Sequence, residues 1–109
     1  YYQRDDRQGP KASFYLISRT NEPDSLRAVL SQALAVRGVV KKTRRVYLVG
    51  QTRVHLDQVP GLGQFVELEV VMRPDQSEEE GQKIAHELMQ QLEIRERDLI
   101  SEAYIDMMK

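Results

Sequence analysis

Residues 39–71 contain three consecutive runs in which the side chains alternate with the period of two that is typical of β-strands. In the third run, the even-numbered residues 66–72 are all apolar, and the odd-numbered ones include two glutamates. The second run alternates in the same way, while the first run is mixed. We therefore predict a three-stranded sheet with one apolar face and one charged face. The titratable residues opposite the apolar positions of the second and third runs are Arg53, His55, Asp57, Glu67 and Glu69.

The first of these runs carries basic residues on both faces. Lys42 and Arg44 share one face of the predicted strand, and Lys41 and Arg45 lie on the other. A tight turn at residues 50–51 joins the first two strands. A longer loop over residues 58–63, which contains Pro60, is predicted to break the ladder between the second and third strands.

Two short strands and a helix are predicted before this sheet. Residues 1–4 and 12–19 are strand-like and enclose a Gly-Pro loop, as in a β-hairpin. Residues 21–36 predict an amphipathic helix, since Pro23 suits its first turn and apolar residues recur at helical spacing. Gly38 follows at a position where a left-handed residue often ends a helix. The apolar stripe of this helix comprises Leu26, Val29, Leu30, Ala33 and Leu34.

A second helix is predicted after residues 73–74. Ser77 followed by Glu80 forms a capping box, and Ile84, Leu88 and Leu92 form a stripe for packing onto the sheet. Residues 95–100 predict a short helical or turn segment. Residues 101–109 end the sequence with three further packing residues, Tyr104, Ile105 and Met108.

The predicted order of elements is β-β-α-β-β-β-α-α, with antiparallel neighbours joined by short turns, which indicates an α+β fold. At 109 residues the chain suits a single domain, 1–109. We expect both amphipathic helices to cover the apolar face of the sheet.

Composition narrows the class of partner. The chain has no cysteine, which excludes disulfides and thiolate metal sites, so any metal must bind through oxygen or histidine. Sixteen basic and seventeen acidic residues give a net charge of -1, so no overall field attracts nucleic acid or a membrane surface. No apolar run approaches the roughly 20 residues of a membrane span. We therefore expect a cytoplasmic protein with no nucleic-acid or membrane partner.

The charged face has two interpretations. Antiparallel sheets commonly leave one face in water, where each cross-strand ion pair contributes roughly a few tenths of a kcal/mol. Alternatively, the face lines a groove in which basic side chains bind phosphate oxygens and paired carboxylates hold a hard divalent cation. Nucleic-acid binding through residues 41–45 is disfavoured, because acidic residues lie nearby and no aromatic platform accompanies them.

Two stretches, KKTRRVY (residues 41–47) and TRVHLDQVPGLGQFVELEV (residues 52–70), resemble the later half of the CYTH family of CyaB-type adenylate cyclases and thiamine triphosphatases. The order of parts also resembles that family: a basic strand, a strand ending in Leu-Asp, a Gly-containing loop, a Glu-x-Glu strand, a helix and a final segment with Tyr. The resemblance implies a closed tunnel of eight antiparallel strands, with helices packed on the outside. It also implies that the charged face lines this tunnel and binds triphosphate groups with Mg²⁺ or Mn²⁺.

The resemblance implies roles for individual residues. Asp57 and His55 are expected either to orient the attacking nucleophile or to support neighbouring ligands. The implied phosphate-binding residues are Arg4, Lys42, Arg44 and Arg53, the implied catalytic residues are Arg44, Asp57 and His55, and the implied metal ligands are Glu67 and Glu69.

Two departures from the family pattern change these expectations. The Glu-x-Glu-x-Lys strand that begins the domain in the family is absent, and the predicted strands fall short of the eight that a tunnel needs. We expect the chain to be the C-terminal part of such a domain, to have little or no activity alone, and to leave sheet edges open to pairing. The second departure lies just before Tyr104, where residues 101–103 lack the lysine that many relatives have.

The function that the resemblance implies is divalent-metal-dependent hydrolysis or cyclisation of a triphosphate substrate. Inorganic triphosphate, thiamine triphosphate and ATP all fit a cationic tunnel, and the sequence leaves the choice open. No residue has the setting of an activated serine or cysteine nucleophile, so we expect no covalent intermediate. The alternative is a non-catalytic or regulatory module that binds phosphate or polyphosphate without turnover.

Overall fold

The computed structural model of the chain describes residues 1–108; Lys109, the last residue of the predicted C-terminal segment, lies outside the described residues. The elements follow in the predicted order, and a 3₁₀ turn at Glu96–Asp98 confirms the short helical segment predicted for residues 95–100. The fold is mixed α and β with antiparallel sheets. The strands are β1 (Tyr2–Arg4), β2 (Ser13–Tyr15), β3 (Thr43–Val49), β4 (Thr52–Val59) and β5 (Gly63–Val70), and the helices are α1 (Pro23–Ala33), α2 (Glu78–Gln91) and α3 (Tyr104–Met107).

Strands β3, β4 and β5 form one antiparallel sheet in chain order, as predicted. β3 and β4 are joined by a tight turn in which Gly50 has a φ of 58°, a left-handed conformation that glycine adopts without steric cost. β4 and β5 are joined through residues 60–62, and their ladder runs to the pair of Val59 with Gly63. The predicted loop is therefore confirmed at residues 60–62, but its bounds of 58–63 are too wide, because residues 58, 59 and 63 are paired. Positive φ angles at Gly61 and Gly63 allow the chain to reverse directly after Pro60.

Strands β1 and β2 form a separate hairpin around the Gly-Pro loop, which confirms their predicted pairing. The second strand is shorter than predicted and ends at Tyr15. Hydrogen bonds join this hairpin to the C-terminal segment. Arg4 Nη1 donates to the carbonyl oxygen of Ser101 at 3.3 Å, and Gln8 Nε2 donates to that of Leu99 at 3.3 Å.

Helix α2 packs against β5. Ser77 accepts a hydrogen bond from the Glu80 N–H at 3.2 Å, which confirms the serine half of the predicted capping box. The predicted packing stripe is confirmed at Leu88, which is 7% exposed, but Leu92 lies beyond the end of the helix and is 46% exposed. Among the described residues, the buried apolar side chains are Val54, Val59, Ala85 and Leu88.

Helix α1 is shorter than the predicted 21–36, and Pro23 lies in its first turn as predicted. It contacts no other strand or helix among residues 1–108. None of its residues is buried, and Val29 is 62% exposed. The expectation that both helices cover the sheet is therefore wrong for α1. Helical spacing shows that one face of a helix is apolar, but it does not show which surface of the molecule covers that face.

Gly38 does not end α1 in a left-handed conformation, so that prediction is also wrong. The helix ends at Ala33, and the next residue, Leu34, has an extended conformation with a φ of -127°. Gly38 instead lies against the side chain of Ile105, whose terminal methyl group would have to shift to admit a β-carbon. The glycine therefore lies at a contact with the C-terminal segment.

The five strands lie in two separate sheets, and the eight-stranded tunnel stays a prediction. In the described part of the chain, no helix is long and apolar enough to cross a membrane.

The burial of α2 predicts different effects for its two leucines. Leu88→Ala should lower the free energy of unfolding by about 2 to 3 kcal/mol, because it removes a buried side chain from a small core. Leu92→Ala, the matched control, should change it by less than about 0.5 kcal/mol because this side chain is half in water. Urea unfolding followed by circular dichroism measures both values. Equal losses from the two variants would contradict the position of the helix.

Candidate functional site

The register of the three-stranded sheet places most of the predicted site residues on one face, in three rows that each join one residue from every strand. Side chains at paired positions of neighbouring strands share a face. We call this surface the charged face. Its rows are Arg44, Asp57 and Phe65; Val46, His55 and Glu67; and Leu48, Arg53 and Glu69.

Asp57 is the centre of the first row and is 2% exposed. Its Oδ1 accepts a hydrogen bond from Arg44 Nε at 2.6 Å, and its Oδ2 accepts one from Arg44 Nη2 at 2.7 Å. Oδ2 also accepts a hydrogen bond from the Tyr104 hydroxyl at 2.8 Å, and Lys42 Nζ lies 3.8 Å away. A buried carboxylate is costly unless it is paired and hydrogen-bonded, and here both oxygens have partners.

These contacts fix the protonation states of the cluster. The hydrogen bond from Arg44, with smaller help from the Tyr104 hydroxyl and Lys42, lowers the pKa of the Asp57 carboxyl from 3.8 to about 2 against the opposing effect of burial. The same hydrogen bond raises the pKa of Arg44. Burial, followed by the hydrogen bond to Asp57, raises the pKa of the Tyr104 phenol. At neutral pH the cluster therefore holds an ionised Asp57, a cationic Arg44 and a neutral Tyr104.

Tyr104 and Phe65 form an aromatic wall beside the first row. Their ring centroids are 5.0 Å apart, with the planes tilted by 48°. Lys42 Nζ lies 5.3 Å from the centroid of the Tyr104 ring, within the range of a cation–π interaction. Tyr104 was predicted as a packing residue, and its hydroxyl makes it a member of the site as well. The final Tyr of the family pattern was the sequence feature that could have indicated this.

Glu67 and Glu69 lie on the charged face as predicted, and each pairs with an arginine. Glu67 Oε2 lies 3.2 Å from Arg44 Nη2, and Glu69 Oε1 lies 3.2 Å from Arg53 Nη1. Both pairs are partly exposed, so each contributes little to stability. No group of three or more His, Cys, Asp or Glu side chains suited to a metal ion occurs among residues 1–108. The two glutamates therefore offer a pair of carboxylate ligands rather than a complete metal site.

His55 lies in the middle row and is 7% exposed. It pairs across the sheet with Val46 on one side and Glu67 on the other. Within the described residues, neither of its ring nitrogens has a hydrogen-bond partner. Buried polar groups are normally paired, so His55 is a buried imidazole whose two nitrogens lack the hydrogen bonds that such a group usually makes.

Arg4 lies apart from this cluster, in the β1–β2 hairpin. Besides the carbonyl of Ser101, its guanidinium contacts the carboxylate of Asp6 at 3.6 Å. The structure thus brings four of the predicted site residues together, namely Lys42, Arg44, Asp57 and Glu67. Arg53 and Glu69 pair in the row farthest from Asp57. Arg4 is joined instead to the C-terminal segment. The phosphate-binding role of Arg4 stays a prediction.

Known proteins resemble this chain in sequence and in fold. The sequence model of the CYTH domain matches residues 6–104. The fold is similar to the solved structure of the PH1012 protein from Pyrococcus horikoshii OT3, with a TM-score of 0.82 and 26% sequence identity. The similarity covers 91% of this chain and 59% of the solved chain, so this chain spans about three fifths of that protein's length. No curated protein sequence matches the chain.

The buried ion pair predicts a dependence of stability on pH. Folding lowers the pKa of Asp57, so the pair stabilises the fold fully above about pH 4, and this contribution is lost as the pH falls toward 2. Between pH 6 and pH 2 the wild type should therefore lose about 2 kcal/mol more unfolding free energy than Asp57→Asn. The exposed control Asp75→Asn should follow the wild-type curve. Parallel curves for the wild type and Asp57→Asn, measured by urea unfolding, would contradict the pairing.

Proposed function

Because this chain belongs to the CYTH family, we propose that its charged face binds the triphosphate group of a small molecule together with a divalent cation, for hydrolysis or cyclisation. The family comprises triphosphate-tunnel proteins, with triphosphatase and cyclase activities, that in general depend on divalent metal ions. The observation that carries the proposal is the orientation of Arg44, which a buried carboxylate holds in place at one end of this face.

Arg44 is suited to a phosphate because part of its guanidinium is unused. Its hydrogen bonds to Asp57 and Glu67 use Nε and Nη2. Within the described residues, the two N–H groups of Nη1 remain for oxygens of a ligand. A guanidinium that is already oriented loses little rotamer freedom when it binds phosphate, so the contact is pre-organised.

The balance of charge on this surface supports a metal-dependent ligand. Three cations face three anions, so the residues alone give no net charge that would attract a polyphosphate. A divalent cation held by the acidic side would raise the local charge by two and favour a polyanion. The residues concerned are Lys42, Arg44 and Arg53 on the basic side, and Asp57, Glu67 and Glu69 on the acidic side.

Glu67 and Glu69 fit such a cation when the ligand shares it. Mg²⁺ is usually bound by one or two carboxylates together with substrate phosphates, rather than by a cage of protein ligands alone. A pair of neighbouring carboxylates on β5 meets that need. A cation held by Glu67 and Glu69 would supply positive charge against the negative charge that develops during phosphoryl or nucleotidyl transfer.

The remaining residues divide into supporting and contacting roles. Both oxygens of Asp57 are occupied within the protein, so we assign it to holding Arg44 rather than to orienting a nucleophile. His55 is buried beside Glu67 in the middle row, and its two ring nitrogens have no hydrogen-bond partner within the described residues, so we assign it to supporting the neighbouring ligands. Arg53, at the far row of the face, supplies a second guanidinium for the phosphate chain.

Removal of the basic side chains should affect tripolyphosphate binding unequally. In the presence of Mg²⁺, Arg44→Ala should weaken binding by roughly 10- to 100-fold, because hydrogen bonds to a charged group are lost. Lys42→Ala should weaken it by roughly 3- to 10-fold, since lysine acts as a point charge. Arg45→Ala, on the opposite face of β3, is the matched control and should leave the Kd unchanged. Titration calorimetry on variants shown to be folded gives the three values.

Turnover separates catalysis from binding alone. If the protein hydrolyses tripolyphosphate, Arg44→Ala should lower kcat by roughly 10²-fold and change KM less, because an oriented donor stabilises the transition state. Loss of affinity with no wild-type turnover would support the non-catalytic alternative. If Arg44→Ala, Lys42→Ala and Arg45→Ala all had small and equal effects on binding and turnover, the charged face would be merely solvated.

The metal requirement has its own variants. Mn²⁺ should strengthen tripolyphosphate binding to the wild type, and Glu67→Gln combined with Glu69→Gln should remove most of that gain, because hard cations need charged oxygen ligands. Glu87→Gln, an exposed glutamate of α2, is the control. Calorimetry with and without Mn²⁺ measures the gain. A gain that persists in the double variant would exclude this pair from the site.

A further inference from the structure

Tyr104 is linked to two basic side chains at the end of the charged face that holds the first row. It contacts Lys42 directly and is joined to Arg44 through Asp57. Its hydroxyl donates to Asp57 Oδ2 at 2.8 Å, the same oxygen that accepts from Arg44 Nη2 at 2.7 Å. Its ring lies under Lys42, with Nζ 5.3 Å from the ring centroid. One aromatic side chain therefore interacts with two cations, Arg44 from β3 and Lys42 from the residue just before β3.

The Tyr104 hydroxyl donates to the same carboxylate that holds Arg44. Asp57 is buried, and its two oxygens meet the guanidinium edge-on, through Nε and Nη2. The Tyr104 hydroxyl is the third donor to this carboxylate and the second on Oδ2, so it restricts the rotation of the carboxylate plane and satisfies a further lone pair of a buried charged group. Loss of that donor leaves the plane freer to turn, and the guanidinium with it.

The ring acts on Lys42 in a different way. Lys42 Nζ is 3.8 Å from Asp57 Oδ2, longer than a hydrogen bond, so the ion pair alone gives the ammonium no fixed direction. The face of the Tyr104 ring adds a second attraction that restricts where the flexible lysine stem can go. Phe65, 5.0 Å from Tyr104 between centroids, supports the ring from β5.

The backbone that carries Tyr104 is itself anchored. Arg4 and Gln8 of the β1–β2 hairpin donate to the carbonyl oxygens of Ser101 and Leu99, a few residues before Tyr104. The tyrosine is therefore held from the hairpin on one side and by β4 on the other.

We propose that Tyr104 is a positioning residue that sets the orientation of both phosphate-binding cations, Arg44 through Asp57 and Lys42 through its ring. This inference rests on the proposed function, since it gives the tyrosine a role in triphosphate affinity. It also gives Arg4 a role that needs no contact with phosphate, because Arg4 anchors the segment that carries Tyr104.

Two substitutions separate the hydroxyl from the ring. Tyr104→Phe removes only the hydroxyl, keeps the contacts with Phe65 and Lys42, and leaves a side chain of nearly the same volume. Tyr104→Leu removes the ring as well. Tyr47→Phe is the matched control, because Tyr47 lies on the opposite face of β3 and is half exposed.

The first readout needs no ligand. A hydrogen-bonded Arg Nε–H exchanges slowly with water, so nitrogen-15 NMR of Arg44 reports whether its guanidinium is still held. Tyr104→Phe should speed this exchange several-fold at a temperature where the variant is fully folded, and Tyr47→Phe should not. A tyrosine that only stabilises the fold would lower the Tm and leave this exchange rate unchanged.

The second readout is a double-mutant cycle on the Kd for inorganic tripolyphosphate with Mg²⁺. Tyr104→Phe should weaken binding by roughly 3- to 10-fold in the wild-type background and by less than about 2-fold in the Arg44→Ala background. Tyr104→Leu should weaken binding by about a further 2- to 5-fold, and this additional loss should vanish with Lys42→Ala.

The outcomes test the positioning role of Tyr104 separately from the proposed triphosphate binding. Unchanged Arg44 exchange in Tyr104→Phe, or equal losses of affinity in the wild-type and Arg44→Ala backgrounds, would overturn the positioning role while leaving phosphate binding intact. If the wild type binds no tripolyphosphate, the proposed function fails, and the exchange rate of Arg44 alone then decides whether Tyr104 positions it.

Discussion

The arrangement of this protein depends on one ion pair, between Arg44 and the buried carboxylate of Asp57. A charged carboxylate removed from water costs several kcal/mol in effect, and it persists only where good geometry and further hydrogen bonds offset that cost. Here the offset comes from β3, which supplies Arg44, and from the C-terminal segment, which supplies the hydroxyl of Tyr104. The pair therefore fixes how these two parts of the chain lie against β4.

Together with two neighbouring ion pairs, this pair also explains how one face of the sheet can carry charged side chains on all three strands without destabilising the fold. Arg44 pairs with Asp57 and Glu67, and Arg53 pairs with Glu69, so each of these charges has a neighbour of opposite sign. Such a surface is ready for a polyanion only when a cation joins it, which agrees with the general metal dependence of the CYTH family. His55 is buried between the rows of Arg44 and Arg53 and has no hydrogen-bond partner among residues 1–108, so it takes no part in these ion pairs.

Much of the sheet could be predicted because strand alternation is a local property. The opposite faces of Val54 and Asp57, and the shared face of Glu67 and Glu69, follow from a period of two that tertiary packing did not override. It was harder to predict which face of β3 belongs to the charged face, because basic residues occupy both faces of this strand. Only the pairing of Arg44 with Asp57 across the strands decides it.

The sequence was least informative about contacts between distant segments. Tyr104 meets Asp57 from 47 positions away, and no local pattern shows that a tyrosine among apolar residues will donate to a buried carboxylate. The exposed stripe of α1 is a similar case, since Val29 and Leu34 show where the helix is apolar but not what lies opposite. Gly38 was misassigned for the same reason, because its neighbour Ile105 is remote in sequence.

The central claim is that the charged face, and not the opposite one, receives the phosphate ligand. Side-chain NMR during titration with tripolyphosphate and Mg²⁺ tests it most directly, because arginine Nε–H and histidine ring resonances report each face separately. We expect saturable shifts at Arg44, Arg53 and His55, with Arg45 on the other face of β3 unchanged. Shifts at Arg45 as large as those at Arg44, or no saturable shift at any of these residues, would contradict it.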